Sequence, residues 1–180
     1  MKIINTLLSD ILILEPEFQN ENSKDLIVYS SKEFENIGIK ENFVQQNFSH
    51  SKYNVLRGLH YQIHKPQGKL IRVISGSVFD VVVDIRKSSA NYGKYSSFEL
   101  SDKNNHMIWI PPGYAHGFYV LSDSVDFIYS VTNYRSLEFE RILLWNDPEL
   151  NIKWPFNEST IPFLSEKDKN GICLKNIESF

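Results

Sequence analysis

Leu70-Ile71-Arg72-Val73-Ile74-Ser75-Gly76-Ser77-Val78-Phe79-Asp80-Val81-Val82-Val83-Asp84-Ile85 is the stretch that decides the fold class. Residues 70–74 and 78–85 are dense in β-branched side chains, which suit a pleated strand, and Ser75-Gly76 between them supplies a tight turn. The same texture extends outward. Residues 107–110 are joined through Pro111-Pro112-Gly113 to a strand at 116–121, and residues 126–132 make another. Residues 1–50 are rich in Asn, Glu, Ser and Lys around short apolar runs, with one helical turn predicted over 31–37. Many short strands with few helical patterns predict an all-β antiparallel sandwich, of which the jelly roll is the commonest closed form. With no repeat, low-complexity tract or linker, the chain reads as a single domain over 1–180: an N-terminal segment 1–50, a core 51–155 and a C-terminal helical segment 156–180.

Composition limits the function classes. A chain of 180 residues, 42% hydrophobic and 13% aromatic, buries one sizeable core. The 19 basic and 22 acidic residues create no broad positive field, which argues against a nucleic-acid partner. The lone Cys173 excludes an internal disulfide framework and fits a reducing compartment. The apolar run 7–14 is interrupted by Asp10 and lacks a signal-cleavage pattern, and no run is long enough to span a membrane, so a cytoplasmic protein is expected.

The chemistry concentrates at Val55-Leu56-Arg57-Gly58-Leu59-His60-Tyr61-Gln62 and Pro66-Gln67-Gly68-Lys69-Leu70. A histidine, an arginine and a lysine at glycine-marked turns beside an apolar strand can remove a proton next to a carbonyl, hold a phosphate and receive the resulting negative charge. That points to a phosphorylated carbonyl substrate. Strand alternation puts His116 on one face with Phe118 and Val120, and Tyr129 with Phe127 and Val131. Either polar tip alone reads as a core residue satisfied by one hydrogen bond. Two of them aimed at one cavity with His60 and Lys69 read instead as a site, because clustered ionisable groups are costly in an apolar interior.

A metal centre is the competing reading. Pro111-Pro112-Gly113-Tyr114-Ala115-His116 fits half of the cupin metal pattern, but position 62 of the other half is Gln and His64 has the wrong parity for a His-x-His pair. His50 and His106 lie in polar stretches and read as surface residues.

Taken together, residues 55–62, 66–73, 78–80 with 83–86, 109–121, 145–148 and 165–168 resemble, in order, the dTDP-4-dehydrorhamnose 3,5-epimerase family. The resemblance implies a cupin-type jelly roll, usually a homodimer, that epimerises a nucleotide-linked 4-keto-6-deoxyhexose without metal or organic cofactor. It implies that His60 is the base, Tyr129 the acid on the opposite face of the sugar, and Lys69 the stabiliser of the enolate oxygen. Arg57 is implied as a diphosphate or sugar contact, for which its planar fork is suited, and His116, Gln45, Asn47 and Glu140 as further substrate contacts. On local sequence, Ser165-Glu166-Lys167-Asp168 reads equally as a capping box, with the acid bonded to a backbone amide. The resemblance assigns Asp168 instead to a pair with the catalytic histidine. Asp84 is a weaker supporting candidate that strand context allows to face water.

The resemblance is weakest at residues 20–27, where the family's acidic-x-Arg-Gly-Phe-Phe-x-Glu stretch, a source of nucleotide contacts, is replaced by Asn-Glu-Asn-Ser-Lys-Asp-Leu-Ile. A differently linked sugar (GDP or CDP) therefore stays open. So do inversion at C3 or C5 alone, a 3,4-ketoisomerase, and a non-catalytic sugar-binding jelly roll.

Overall fold

The computed structural model describes residues 1–4, 6–17, 29–156 and 160–180. Among the described residues eleven strands follow in chain order: β1 (Lys2–Ile4), β2 (Leu12–Glu15), β3 (Gln45–Lys52), β4 (Leu56–Gln62), β5 (Lys69–Ser75), β6 (Ser77–Asp84), β7 (Tyr95–Ser101), β8 (Met107–Ile110), β9 (Tyr114–Val120), β10 (Ser124–Val131) and β11 (Glu140–Ile142). Short helices α1 (Ser31–Asn36) and α2 (Glu166–Lys169) and a 3-10 turn (Leu174–Asn176) lie outside them. One sheet runs β1-β2-β8-β5-β10-β3 and the other β11-β4-β9-β6-β7, with every strand pair antiparallel. This is the antiparallel jelly roll predicted from residues 70–85 and their surroundings. The departures from the 1–50 reading are β1, β2 and β3, three strands in a segment for which only a helical turn was predicted.

Alternation explains how the sheets meet. Val78 and Val82 of β6, Phe118 and Val120 of β9, and Ile71, Val73 and Phe127 from the other sheet form one buried cluster between them. The alternate β6 residues Val81 and Val83 turn outward, where Leu143, Leu150, Leu174 and Ile177 cover them. The outward Leu70, Met107 and Trp109 of the larger sheet are sealed by Phe34 and Ile39. Helix α1 can seal that face because Ser30 caps it through the Glu33 amide and Phe34 falls on its buried side. At the β3–β4 end the inner faces carry polar residues and the sheets stay apart.

Candidate active site

The gap between the sheets is a cavity of about 630 Å³, the scale of a small-molecule site. All the expected site residues line it: Arg57 and His60 from β4, Lys69 from β5, His116 from β9, Gln45 and Asn47 from β3, Tyr129 from β10, Glu140 from β11 and Asp168 from α2. His60 and His116 are cross-strand neighbours on one sheet, and Tyr129 projects from the sheet opposite.

Simple alternation would send Arg57 and His60 to opposite faces. A bulge reconciles them: Arg57 pairs with Phe118 and His60 with His116, so three steps along β4 match two along β9. Glycine makes the bulge possible. Gly58 has φ +124, and a Cβ there would meet Gly117 Cα at 2.5 Å, so the two strands cross at a contact with no room for a side chain.

His60 Nε2 lies 2.5 Å from Asp168 Oδ1, which the Gly58 amide also approaches at 3.4 Å. Asp168 is 2% exposed. Burial pushes its carboxyl up, but bonds from His60 and Ser165 outweigh that and hold it below the usual carboxylate range. An ionised Asp168 makes Nε2 the protonated nitrogen of a neutral His60, leaving Nδ1 with a free lone pair. Burial lowers the His60 pKa, opposed by Asp168. Only half of the capping box forms: Ser165 caps α2 by accepting the Asp168 amide, while the Asp168 carboxylate turns to His60 instead of reaching back to the cap amide.

His116 Nε2 is bonded to Asp80 Oδ2 at 2.8 Å, both groups being buried. Asp80 is the acid that sequence reasoning passed over in favour of Asp84. Asp84 neither faces water nor lines the cavity: it is fully buried and takes its bonds from Arg86 and Ser89. Parity puts Asp80 on the inner face with Val78 and Val82 but does the same for Asp84; it is the β6–β9 register, with Val82 opposite His116, that brings Asp80 to the histidine.

Lys69 reaches the His60 carbonyl at 3.3 Å and, among the described residues, no carboxylate, and burial drops its pKa to about 8 against the pull of Asp80 and Glu140. Tyr129 stands between Asn47 on β3 and Ile71 on β5. Arg57 spans the gap between the sheets to Ser49 Oγ at 3.2 Å. Glu140 is gripped by Arg135 at 2.8 Å and Lys167 at 3.3 Å; burial raises its pKa, and these cations bring it below the ordinary value. Both cations line the cavity and were not singled out from sequence, because each lies in a polar stretch with no local periodicity. Gln62, at the missing metal-ligand position, is buried and spends its amide on Lys65 O, Tyr134 O and the Ser136 amide. Among the described residues no three His, Cys, Asp or Glu side chains converge as a metal ion needs. His50 is exposed and pairs with Asp126, His64 is exposed against Phe139, and His106 is partly exposed. Residues 20–27 lie outside the described residues.

With this geometry in hand, comparison with known proteins is specific. Residues 5–176 match the family model described as dTDP-4-dehydrorhamnose 3,5-epimerase. The Shigella flexneri protein of that name is 48% identical over 174 residues, covering 95% of this chain and 94% of the relative. Its Pseudomonas aeruginosa counterpart is 42% identical over 182 residues, covering 100% and 99%. Among solved structures, the Legionella pneumophila dTDP-6-deoxy-D-glucose-3,5-epimerase in complex with dTDP-4-keto-L-rhamnose superposes with a TM-score of 0.93 at 44% identity, covering 98% of this chain and 94% of that one. Sequence, fold and near full-length coverage agree, and the chain belongs to the dTDP-4-dehydrorhamnose 3,5-epimerase family.

Proposed function

We propose that this chain inverts C3 and C5 of a dTDP-linked 4-keto-6-deoxyhexose. The observation that carries the reading is the placement of a carboxylate-backed imidazole on one sheet and a phenol on the facing sheet, across one cavity. The C4 ketone acidifies its flanking carbons. His60 Nδ1 takes the proton from C3 or C5, the C–H electrons move into the ring to give an enolate, and the charge falls on the C4 oxygen. Lys69 stabilises that oxygen as an ammonium. Tyr129 then delivers its hydroxyl proton to the same carbon from the opposite face, which inverts it. The phenolate and the imidazolium return to their starting states by exchange with solvent. His116, Asn47, Gln45 and Glu140 hold the sugar and nucleotide, and Arg57 supplies a planar fork for the diphosphate.

The relatives being dTDP-4-dehydrorhamnose 3,5-epimerases supports the thymidine nucleotide, and a Bacillus anthracis homologue was solved with TDP and PPi bound. We also propose a single-domain protein working as a homodimer in the cytoplasm. The exposed Phe48 and Ile74 on the outer surface of β3 and β5 offer apolar area for a second copy, which sedimentation of the purified chain tests. The reaction is tested by incubating the protein with dTDP-4-keto-6-deoxyglucose in deuterated water. Deuterium at both C3 and C5 with formation of the L-sugar is expected; exchange at one carbon only, or none, overturns it.

A further inference from the structure

Asp168 reaches His60 from more than a hundred residues away in sequence, so something must aim its carboxylate. The approach of the backbone is set by a short parallel bridge. The Phe163 amide donates to Asn54 O at 2.8 Å and the Leu56 amide to Phe163 O at 3.0 Å, tying the incoming segment to the start of β4, the strand that carries His60. The side chain still has a free torsion. Ser165 closes it: its hydroxyl donates to Asp168 Oδ2 at 2.6 Å while its oxygen accepts the Asp168 amide at 3.3 Å. Each carboxylate oxygen is then committed, Oδ2 to Ser165 and Oδ1 to His60.

We propose that Ser165 is a positioning residue for the proton transfer, its hydroxyl holding the Asp168 carboxylate in the plane that keeps His60 protonated on Nε2 and open on Nδ1. The inference rests on the reaction proposed above. It assigns to Ser165 a role beyond capping a four-residue helix, and the two roles are separable. Glycine is tolerated at an N-cap with little loss of stability, and aspartate caps as well as serine, yet neither can donate to Asp168.

The pH dependence gives a signature that loss of a cap would not. With its donor removed, Asp168 keeps more of its negative charge for His60, so the imidazolium survives to higher pH and the base is disarmed over a wider range. The other groups facing His60 are Lys167 from α2, Lys69 from β5, Glu140 from β11, His116 from β9 and Tyr129 from β10. None of these is hydrogen-bonded to the Ser165 hydroxyl, whose described partners are both on Asp168.

The test measures solvent-deuterium exchange at C3 and C5 with dTDP-4-keto-6-deoxyglucose against pH, in wild type and in Ser165→Gly, Ser165→Asp and Ser165→Thr. For Ser165→Gly, kcat should fall roughly tenfold, the loss of one charge-assisted hydrogen bond, with KM nearly unchanged and the acid limb moved to higher pH. Ser165→Asp should fall further and move the limb further, and Ser165→Thr should recover most of the rate. Absence of exchange in wild type would overturn the reaction itself. Active wild type with unaltered kcat in both Ser165→Gly and Ser165→Asp, or a rate loss with an unmoved acid limb, would overturn the role of Ser165. Ring 15N shifts of His60 supply an independent reading, since a wild-type resting enzyme protonated on Nδ1 contradicts the proposal.

Discussion

Two buried carboxylates in this molecule are built from similar parts and do different things. Asp84 receives Arg86 Nε and the Arg86 amide on Oδ1, each at 3.0 Å, and Arg86 Nη2 at 2.6 Å and Ser89 Oγ at 2.7 Å on Oδ2. Arg86 in turn bonds Asp10 and the Tyr114 hydroxyl and lies over the Tyr114 ring at 4.5 Å. Asp168 also receives a serine hydroxyl and approaches a backbone amide, but its main partner is an imidazole. A guanidinium keeps its charge at any pH the protein meets, and in the Asp84 cluster each of its nitrogens is already bonded to Asp84, Asp10 or Tyr114. An imidazole titrates near neutrality, and the second nitrogen of His60 is left free beside a cavity. What separates a clamp from a catalytic pair is therefore the unused capacity of the partner, more than the burial of the acid.

Substitutions should split the two clusters cleanly. His60→Ala removes the base and should lower exchange at both carbons about a thousandfold, with the melting temperature preserved; retained exchange would move the base elsewhere. Asp84→Asn should leave kcat within about twofold, because Asp84 is outside the cavity, and cost about 2–3 kcal/mol in denaturant unfolding by stranding Arg86. A large kcat loss at full stability would reverse the comparison. Asp168→Asn should do the opposite, cutting kcat roughly tenfold to a hundredfold with a smaller change in unfolding free energy.

Part of the site was legible in the sequence, though not the contrast between Asp84 and Asp168. Strand parity placed His116 with Phe118 and Tyr129 with Phe127, and both pairs fall on the inner faces. The N-terminal strands were hidden for a physical reason. The inward positions of β3 are Gln45, Asn47, Ser49 and Ser51, because they face a polar cavity or its edge, while the apolar Phe48 points out. Hydrophobic alternation is thus reversed along β3, and a pattern search misses it. Arg57 and His60 defeat parity through the Gly58 bulge, which only the register across β9 reveals. Asp80 was obscured by its neighbour Asp84: both sit on the inner face of β6, and only the cross-strand partner tells one from the other.

A smaller effect sharpens the comparison on the pH axis. Catalysis needs a neutral His60 and a charged Lys69. Burial lowers the imidazole below its ordinary value, so kcat/KM should rise through an acid limb in that lower range and fall as pH passes about 8, where Lys69 loses its proton. In Lys69→Arg the residual activity should lack the limb near 8, since a guanidinium stays charged.

The two-faced arrangement is the central claim, and Tyr129→Phe tests it most directly. The substitution keeps the ring packed against Phe127 and the inter-sheet cluster and removes only the hydroxyl. His60 would still form the enolate and return a proton to the face it left. With dTDP-4-keto-6-deoxyglucose in deuterated water, deuterium should continue to enter the sugar at a substantial rate while net inversion falls steeply. A Tyr129→Phe enzyme that inverts C5 at the wild-type rate would contradict the account, because the proton on the far face would then come from another donor.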